Sequence, residues 1–267
     1  MFKYLFLLFV TCNSLKNLFK TTTYFRKINK NEIKVIEPIK LKKKNIYSVI
    51  YLTGGNNFIQ DDIYCDFLTT LASHKFSVNL IHGNFNEYDK LVDDLDDTYK
   101  GVIVAQHSSS SILLANICEN CTKIKKAIFL DPVDSRIFYK KYWHQPKIKL
   151  SHLKNILFLN AAKSYKWSLK PFGIPFIPFF SIKKETLDTN IKCKINKIVA
   201  SNYGHCDILD KSWSDLMHNS RLALGNQNRT YHANHDYHEW LSQVFFYYSY
   251  YNLNKLGKNL TINYTIE

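Results

Sequence analysis

Glycine, proline and methionine are scarce in this sequence, with 8, 6 and 2 residues among 267. So little glycine and proline excludes collagen-like and low-complexity chains. The apolar run at residues 4–10 is far shorter than the ~20 residues of a membrane-spanning helix. What is present instead is 46% hydrophobic and 22% charged residues. This composition is typical of one sizeable folded domain, with or without tails, and not of a disordered protein.

Acidic residues are nearly missing from the first fifty positions, and this absence accounts for most of the net charge of +14. Residues 1–50 contain 11 Lys or Arg but only Glu32 and Glu37, a net charge of +9, and the remaining chain carries only +5. A strongly basic protein often binds nucleic acid. No recognition motif accompanies this charge, so we expect no nucleic-acid partner.

The N-terminal segment has the composition of a targeting leader. The apolar run at residues 4–10 resembles the core of a signal peptide, and the basic, threonine-bearing stretch after it resembles an organelle transit segment. We therefore predict a leader at residues 1–44 and a folded domain at residues 45–267. Two destinations stay open: a plastid or other organelle reached by the secretory route, or secretion.

Cysteine and histidine give little evidence of a metal site. Cys118 and Cys121 form one isolated CxxC pair, whereas zinc sites of this type use two pairs. We expect ordinary helix cysteines here, with one disulfide only in an oxidising compartment. His232, His235 and His238 recur every three residues, but zinc-binding helices usually place two histidines four residues apart. The sequence therefore predicts no metal and no cofactor.

Short runs rich in β-branched and aromatic residues alternate with polar segments of helical length after residue 45. This alternation is typical of a parallel sheet. The predicted strands are 46–52, 77–81, 101–105, 126–130, 155–160 and 195–200. The predicted helices are 62–73, 88–98, 109–120 and 236–253. We therefore expect an α/β fold with a mostly parallel, doubly wound sheet flanked by helices and no large cap domain.

The third predicted strand is followed by a serine-rich turn and then a helix. This arrangement is typical of a nucleophile elbow, in which a sharp turn of small residues lifts one side chain above the sheet. Ser108 is the candidate nucleophile. The usual pattern is G-x-S-x-G, so Ser110 is small enough for its place, whereas Gln106 is a clear departure. The alternative interpretation is a serine-rich helix cap.

Two further residues complete a possible triad in the chain order Ser, Asp, His. Asp131 follows the next predicted strand, and His205 lies in a loop after the last one. A serine hydroxyl becomes a strong nucleophile only when an imidazole takes its proton, and a carboxylate then orients that imidazole. For the oxyanion hole we predict the backbone amides of Gly55, Asn56 and Ser109.

Two segments are rich in aromatic residues. Residues 171–180 contain three prolines, which exclude a regular helix. The segment either covers the sheet edge or forms an apolar wall for a substrate, with Phe172, Phe176 and Phe179 as contacts. Residues 244–251 are expected to form a helix packed on the sheet, and peripheral membrane contact is the second interpretation.

Four sequence blocks resemble the chlorophyllase family of α/β-hydrolases, and they occur in family order. Residues 71–76, L-A-S-H-K-F, resemble the family's A-S-H-G-F segment, and His107-Ser108 occupies the place of its G-H-S-R-G-G elbow. Residues 128–133 resemble its strand ending in D-P-V. Residues 203–210, Y-G-H-C-D-I-L-D, resemble its Y-G-H-M-D-M-L-D and are the most specific block.

The resemblance implies an α/β-hydrolase fold and hydrolysis of the phytyl ester of chlorophyll or a similar apolar ester. It also implies the roles of the triad: Ser108 as nucleophile, Asp131 as orienting acid and His205 as general base. Two other hypotheses stay open. In the first, the protein is an inactive relative that binds a lipid or pigment. In the second, it is a generic lipase or carboxylesterase.

Several features depart from the family pattern. The elbow Q-H-S-S-S-S lacks the family's glycines and arginine, and residues 82–101 look shorter than the corresponding family segment. Asp134 is an alternative acid three residues after Asp131. Asp207 and Asp210 are expected to stabilise the histidine loop.

Overall fold

The computed structural model describes most of the chain. The described residues are 19–29, 31–57, 59–81, 85, 87–134, 136, 147–166, 182, 184–220, 225–226, 230–256 and 262–266. The apolar run of the predicted leader and the aromatic loop with Phe172, Phe176 and Phe179 lie outside these residues. Those two predictions therefore stay predictions.

The described strands are β1 (Thr21–Ile28), β2 (Asn31–Pro38), β3 (Tyr47–Leu52), β4 (Phe76–Leu80), β5 (Val102–His107), β6 (Lys126–Leu130), β7 (Ile148–Leu150), β8 (Asn155–Ala161), β9 (Leu187–Thr189), β10 (Lys194–Ala200) and β11 (Tyr264–Ile266). Nine of them form one sheet in the order β1-β2-β4-β3-β5-β6-β8-β10-β11, and β7 and β9 pair separately. The six strands from β4 to β10 in this order run parallel, while β1, β2 and β11 join the sheet antiparallel to their neighbours.

The described α-helices are α1 (Gly54–Asn57), α2 (Cys65–Ser73), α3 (Tyr88–Thr98), α4 (Ser111–Asn120), α5 (Lys211–Asn219) and α6 (Tyr231–Tyr250). Helices α2 and α6 pack in one core cluster on one face of the sheet. Helices α3 and α4 pack in a second cluster on the other face. The two layers of helices bury both faces of the central strands, which is why those strands are continuous apolar runs in the sequence.

The six predicted strands and the four predicted helices are all present, with shifted ends. The final helix begins at Tyr231, five residues before the predicted start, because Thr230 accepts a hydrogen bond from the Ala233 amide and caps it. Helix α5 was not predicted. Strand β5 continues to His107, so it reaches the serine-rich turn directly.

The predicted domain boundary at residue 45 needs correction, because residues 21–38 belong to the sheet. Strand β1 pairs with β2, and β2 pairs with the central strand β4. Ile33, Val35 and Ile36 are at most 2% exposed, and Lys34 forms a 2.6 Å ion pair with Asp61. The composition of this segment resembles that of a transit segment because its basic residues alternate with apolar residues that face the core. The folded domain therefore begins no later than Thr21.

The strand order, the two helical layers and the sharp turn between β5 and α4 together form an α/β-hydrolase fold, as the sequence predicted. Parallel sheets of this class place their ligand sites beyond the carboxyl ends of the strands. In the described part of the chain, no helix has both the length and the apolar stretch needed to cross a bilayer.

Candidate active site

The three predicted triad residues meet at the carboxyl edge of the sheet. Ser108 follows β5, Asp131 follows β6, and His205 lies in the loop after β10. The parallel register of these strands brings their ends to one edge, although the residues are far apart in sequence. Asp131 and His205 are 7% and 6% exposed, so the site is shielded from water on their side.

Ser108 has the backbone conformation of a nucleophile elbow. Its φ is +59°, a left-handed value that costs a non-glycine residue about 1–3 kcal/mol and needs support from its surroundings. The support comes from β6 and the loop after it. The Ser108 amide donates to the Leu130 carbonyl at 3.1 Å, and the Val133 amide donates to the Ser108 carbonyl at 2.8 Å.

The imidazole of His205 lies between the serine and the carboxylate. Its Nε2 is 2.9 Å from Ser108 Oγ, a hydrogen-bond distance. Its Nδ1 is 3.6 Å from Asp131 Oδ2, an ion-pair distance somewhat longer than a hydrogen bond. Because the carboxylate faces Nδ1, the neutral ring is favoured with its proton on Nδ1, and Nε2 is left to accept the serine proton.

Asp131 is held by donors on β8 and on the turn that follows it. The Ala161 amide donates to Oδ1 at 2.8 Å, and the Ser164 hydroxyl donates to Oδ2 at 2.5 Å. The backbone φ of Asp131 is +42°, a second left-handed residue at this edge. These contacts aim the carboxylate at His205 independently of the elbow.

Asp134, the alternative acid, is committed to another partner. Arg136 Nε donates to Asp134 Oδ1 at 2.9 Å, and Arg136 Nη2 pairs with Oδ2 at 2.5 Å. A two-pronged guanidinium–carboxylate pair of this kind occupies both oxygens. Asp131, and not Asp134, is therefore the acid that the structure brings to His205.

Asp207 organises the loop that carries His205. Its Oδ2 accepts from the amides of Gly204 at 2.8 Å and Asn226 at 2.7 Å. The Asn234 side chain on α6 donates to the Asp207 carbonyl at 3.1 Å. A Cβ at Gly225 would lie 2.3 Å from the carboxylate, so this position requires glycine. Burial raises the pKa of Asp207, and the amide donors oppose that shift.

Asp210 fastens the other end of the same loop. Its Oδ1 accepts from the Asp66 amide at 2.9 Å, and its own amide donates to the Ile63 carbonyl at 2.8 Å. Burial raises the pKa of this carboxyl to about 6. The contacts of Asp207 and Asp210 agree with the expectation that both stabilise the histidine loop.

The predicted oxyanion residues lie on two segments, one after β3 and one after β5, and a hydrogen bond from Ser110 links these segments. Gly55 lies in the short helix α1 after β3, with φ at +59°, and a Cβ there would meet Ile59 at 2.9 Å. The Ser110 hydroxyl donates to the Thr53 carbonyl and so ties the elbow to this segment. Ser110 thus supplies a contact that glycine in its place could not make. The predicted hole uses only the backbone of Asn56 and Ser109. Asn56 lies in α1, and Ser109 lies in the turn between β5 and α4.

Gln106, which departs from the G-x-S-x-G pattern in the sequence, is also unusual in the structure. It is fully buried at the end of β5, in register between Leu52 and Phe129. Both polar atoms of its amide lack a hydrogen-bond partner among the described residues. Burying an unpaired amide costs free energy, so this residue weakens the strand that supports the elbow.

A second histidine, which the sequence indicated only as part of a motif, lies against the triad. His107 is 4% exposed, and its ring stacks on His205 with centroids 4.6 Å apart. Tyr64 lies 2.8 Å from His107 Nδ1. Sequence patterns do not indicate the contacts of Tyr64 and Ser164, because both residues are far from their partners along the chain. Tyr64 precedes His107 by 43 residues, and Ser164 follows Asp131 by 33.

The remaining metal-like patterns do not form a cluster. No three His, Cys, Asp or Glu side chains among the described residues could jointly hold a metal ion. His238 is fully buried, and burial lowers its pKa to about 3, whereas His232 and His235 are exposed. The described cysteines are free thiols, namely Cys65, Cys118, Cys121, Cys193 and Cys206.

Two solved structures resemble this chain remotely. No protein-family model matches the sequence, and no curated protein matches it. Among solved structures, one described as a fungal esterase from Rhizomucor miehei has a TM-score of 0.41 at 13% identity, covering 55% of this chain and 67% of that one. An esterase/lipase from an uncultured bacterium has a TM-score of 0.40 at 9% identity, covering 53% and 65%. The chain spans about two thirds of the length of each.

Proposed function

We propose that this protein is a serine ester hydrolase that cleaves a carboxylic ester through an acyl-enzyme on Ser108. One observation carries the proposal: Ser108 stands on a left-handed turn at a strand end, with its Oγ 2.9 Å from His205 Nε2. A left-handed conformation costs a serine free energy, so it persists only where the surrounding structure enforces it. The enforced position is the one from which a serine attacks a carbonyl above the sheet.

The first half of the reaction uses the three side chains together. The Ser108 hydroxyl attacks the ester carbonyl while His205 Nε2 takes its proton. The resulting imidazolium keeps its Nδ1 proton toward Asp131 Oδ2, 3.6 Å away. As the tetrahedral intermediate collapses, His205 gives the Nε2 proton to the departing alcohol, and the acyl group remains on Ser108.

The negative charge on the carbonyl oxygen needs donors that are already in place. In the proposal these are the backbone amides of Ser109 and of the Gly55–Asn56 segment. The Gly54 amide has another acceptor, Tyr64 Oη at 3.1 Å, so it does not serve this purpose. The hydrogen bond from Ser110 to Thr53 supports the hole by fixing the two segments to each other.

The second half of the reaction repeats the first with water. His205 removes a proton from a water molecule, the hydroxide attacks the acyl carbonyl, and Ser108 leaves with the proton that His205 returns. No atom changes its oxidation state, because the bonds that form and break are the C–O bonds at the acyl carbon and the O–H and N–H bonds of the proton transfers.

We propose an apolar ester as substrate, with the phytyl ester of chlorophyll as the first candidate. The support is the sequence resemblance to chlorophyllases, in which one of the four blocks contains Asp131 and the most specific block contains His205. A location in a plastid and contact with a membrane surface would follow from this substrate, and both are part of the proposal. Residues 1–18 would then serve as the remaining leader.

The full chain and its Ser108→Ala variant test the proposal on short-chain nitrophenyl esters and on chlorophyll a. Ser220→Ala, at an exposed serine after α5, is the matched control. We expect hydrolysis by wild type and Ser220→Ala, and a loss of about a millionfold in kcat for Ser108→Ala. Cleavage of short esters without chlorophyll indicates a generic carboxylesterase. Equal rates for wild type and Ser108→Ala on every ester would leave an inactive, ligand-binding relative.

A further inference from the structure

His107 lies directly beneath the proposed base and belongs to no step of the mechanism. It is the last residue of β5 and immediately precedes Ser108. Its ring is parallel to that of His205 within 30°, with centroids 4.6 Å apart. A buried histidine in this place costs free energy unless both of its ring nitrogens have hydrogen-bond partners. Its hydrogen bonds therefore define what it does.

Both nitrogens of His107 have partners, and the partners fix the proton. Nε2 lies 3.1 Å from the backbone carbonyl of His205. A carbonyl can only accept, so Nε2 carries the proton and donates. Nδ1 lies 2.8 Å from the Tyr64 hydroxyl. The Gly54 amide donates to that hydroxyl at 3.1 Å, so the Tyr64 oxygen accepts from Gly54 and gives its own proton to Nδ1.

The hydrogen bonds thus run in one direction, from Gly54 through Tyr64 and His107 to the backbone of His205. Burial and the proximity of His205 lower the pKa of His107 well below its usual value. Burial raises the pKa of Tyr64, so its hydroxyl keeps the proton that it donates. His107 is therefore neutral, and Nδ1 is an acceptor.

The close packing around this chain of hydrogen bonds favours glycine at position 54. A Cβ on Gly54 would lie 3.0 Å from Tyr64 Oη and 3.5 Å from His107 Nδ1. Tyr64 itself is locked by edge-to-face contact with Tyr51 and by the ring of His107. This chain of hydrogen bonds, the Tyr64–His107 relay, therefore joins residues with little freedom to move on four segments of the chain.

We propose that Tyr64 and His107 are positioning residues that keep a neutral imidazole stacked beneath the general base His205. This inference rests on the proposed ester hydrolysis. When His205 takes the serine proton, its cationic ring then lies over an uncharged aromatic face, which attracts a cation. A protonated His107 would instead repel it. The relay also fixes the backbone of His205 to the segment that holds Gly55.

The groups that face His107 define the electrostatics of the proposal. They are the ring of His205 above it and the hydroxyl of Tyr64 beside it. Cys206 and Tyr51 lie near Tyr64, and burial holds the thiol and the phenol in their neutral forms by raising the pKa of each. The imidazole of His205 is therefore the group whose charge His107 affects most.

The first test is Tyr64→Phe, which removes the donor to Nδ1 and keeps the ring. We expect kcat to fall by about 10- to 100-fold with KM nearly unchanged, because a misplaced base slows the chemical step. Without its donor, Nδ1 takes up a proton more readily, and the protonated His107 repels the cationic His205, so the acid limb of kcat/KM shifts to higher pH. Tyr231→Phe, at an exposed tyrosine, is the matched control and should leave both quantities unchanged.

Two substitutions at His107 separate its hydrogen bonds. His107→Gln can keep a donor toward the His205 carbonyl, and His107→Asn can keep an acceptor toward Tyr64. We expect His107→Gln to retain more activity, since it preserves the bond that holds the base. Circular dichroism of each variant identifies a failure to fold, in which case the wild-type measurement below decides.

Nitrogen-15 NMR of the wild-type histidines tests the relay without any assay of hydrolysis. We expect His107 to stay neutral, with its proton on Nε2, between about pH 5 and pH 9. If no ester is cleaved but this tautomer is found, the proposed function fails and the relay stands. Titration of His107 within this range, or unchanged kcat and pH profile in folded Tyr64→Phe, would overturn the relay even in an active enzyme.

Discussion

Ser164 donates its hydroxyl proton to Asp131 Oδ2 across 2.5 Å, and this is the same oxygen that faces His205 Nδ1 at 3.6 Å. The serine is fully buried. One carboxylate oxygen therefore faces both the Ser164 hydroxyl and the imidazole of His205, the proposed general base. A change at Ser164 should affect both the stability of the fold and the alignment of the triad.

Ser164→Ala should lower the free energy of unfolding by about 1.5–3 kcal/mol, the usual contribution of a hydrogen bond to a buried charge. Catalysis should fall less than in the triad variants, because the Ala161 amide still holds Oδ1. Urea denaturation and kcat measure the two effects. Ser164→Thr keeps the hydroxyl and serves as the control. Equal stability of wild type and Ser164→Ala would show that the hydroxyl does not support the carboxylate.

The choice between two neighbouring acids gives a second prediction. Asp131→Asn should reduce kcat by about 10⁴-fold, because an amide favours the wrong tautomer of His205. Asp134→Asn should leave kcat nearly unchanged, since Asp134 pairs with Arg136. Both variants replace a carboxylate by an amide, and their kcat values are compared in one ester assay. A larger loss in Asp134→Asn would identify Asp134 as the acid.

Gln106 provides a prediction about stability alone. Its amide is buried without a hydrogen-bond partner among the described residues, between two apolar neighbours. Gln106→Leu should therefore raise the free energy of unfolding by about 1–3 kcal/mol. Gln243→Leu is the control and should give no such gain, because the Gln243 amide donates to Glu239 at 3.2 Å. Destabilisation by Gln106→Leu would show that the amide has a partner that matters.

Asp210 predicts a pH dependence of stability. Burial raises its pKa from 3.8 to about 6 in the folded protein, so the folded state binds this proton more tightly than the unfolded state. Its contribution to stability is therefore largest below pH 3.8 and is lost as pH rises through about 6. Asp210→Asn keeps the acceptor for the Asp66 amide and should remove this decline.

The measurement is the urea midpoint of both proteins at several pH values. We expect the stability of wild type relative to Asp210→Asn to fall between pH 3.8 and about 6. Asp97→Asn, at a carboxyl that is 80% exposed, is the control and should leave the slope unchanged. Parallel profiles for wild type and Asp210→Asn would mean that the carboxyl is not desolvated.

Much of the fold could be predicted from the sequence because the central strands are buried on both faces. Their apolar runs are continuous, and the turns at Ser108 and Asp131 end them sharply. Strand β2 was not predicted because its buried residues alternate with the charged residues Glu32, Lys34 and Glu37. That alternation is typical of a strand with one less protected face, but the surrounding lysines gave the segment the composition of a leader.

The site was predictable only where its residues follow strands. Ser108, Asp131 and His205 each come directly after a strand or in the loop beyond it, so the topology alone brings them to one edge. The residues that contact Asp131 and His107 come from elsewhere: Ser164, which donates to Asp131, follows β8, and Tyr64, which contacts His107, precedes α2. Their contacts depend on how the helical layers pack on the sheet, and short-range patterns carry no information about that packing.

In the proposed mechanism, Ser108 is a nucleophile activated by His205. A fluorophosphonate reacts covalently with such a serine, and mass spectrometry of the digested full chain locates the adduct. We predict one adduct, on the peptide that contains Ser108, with labelling lost in Ser108→Ala and strongly slowed in His205→Asn. An unlabelled wild-type protein, or equal labelling in Ser108→Ala, would contradict the account.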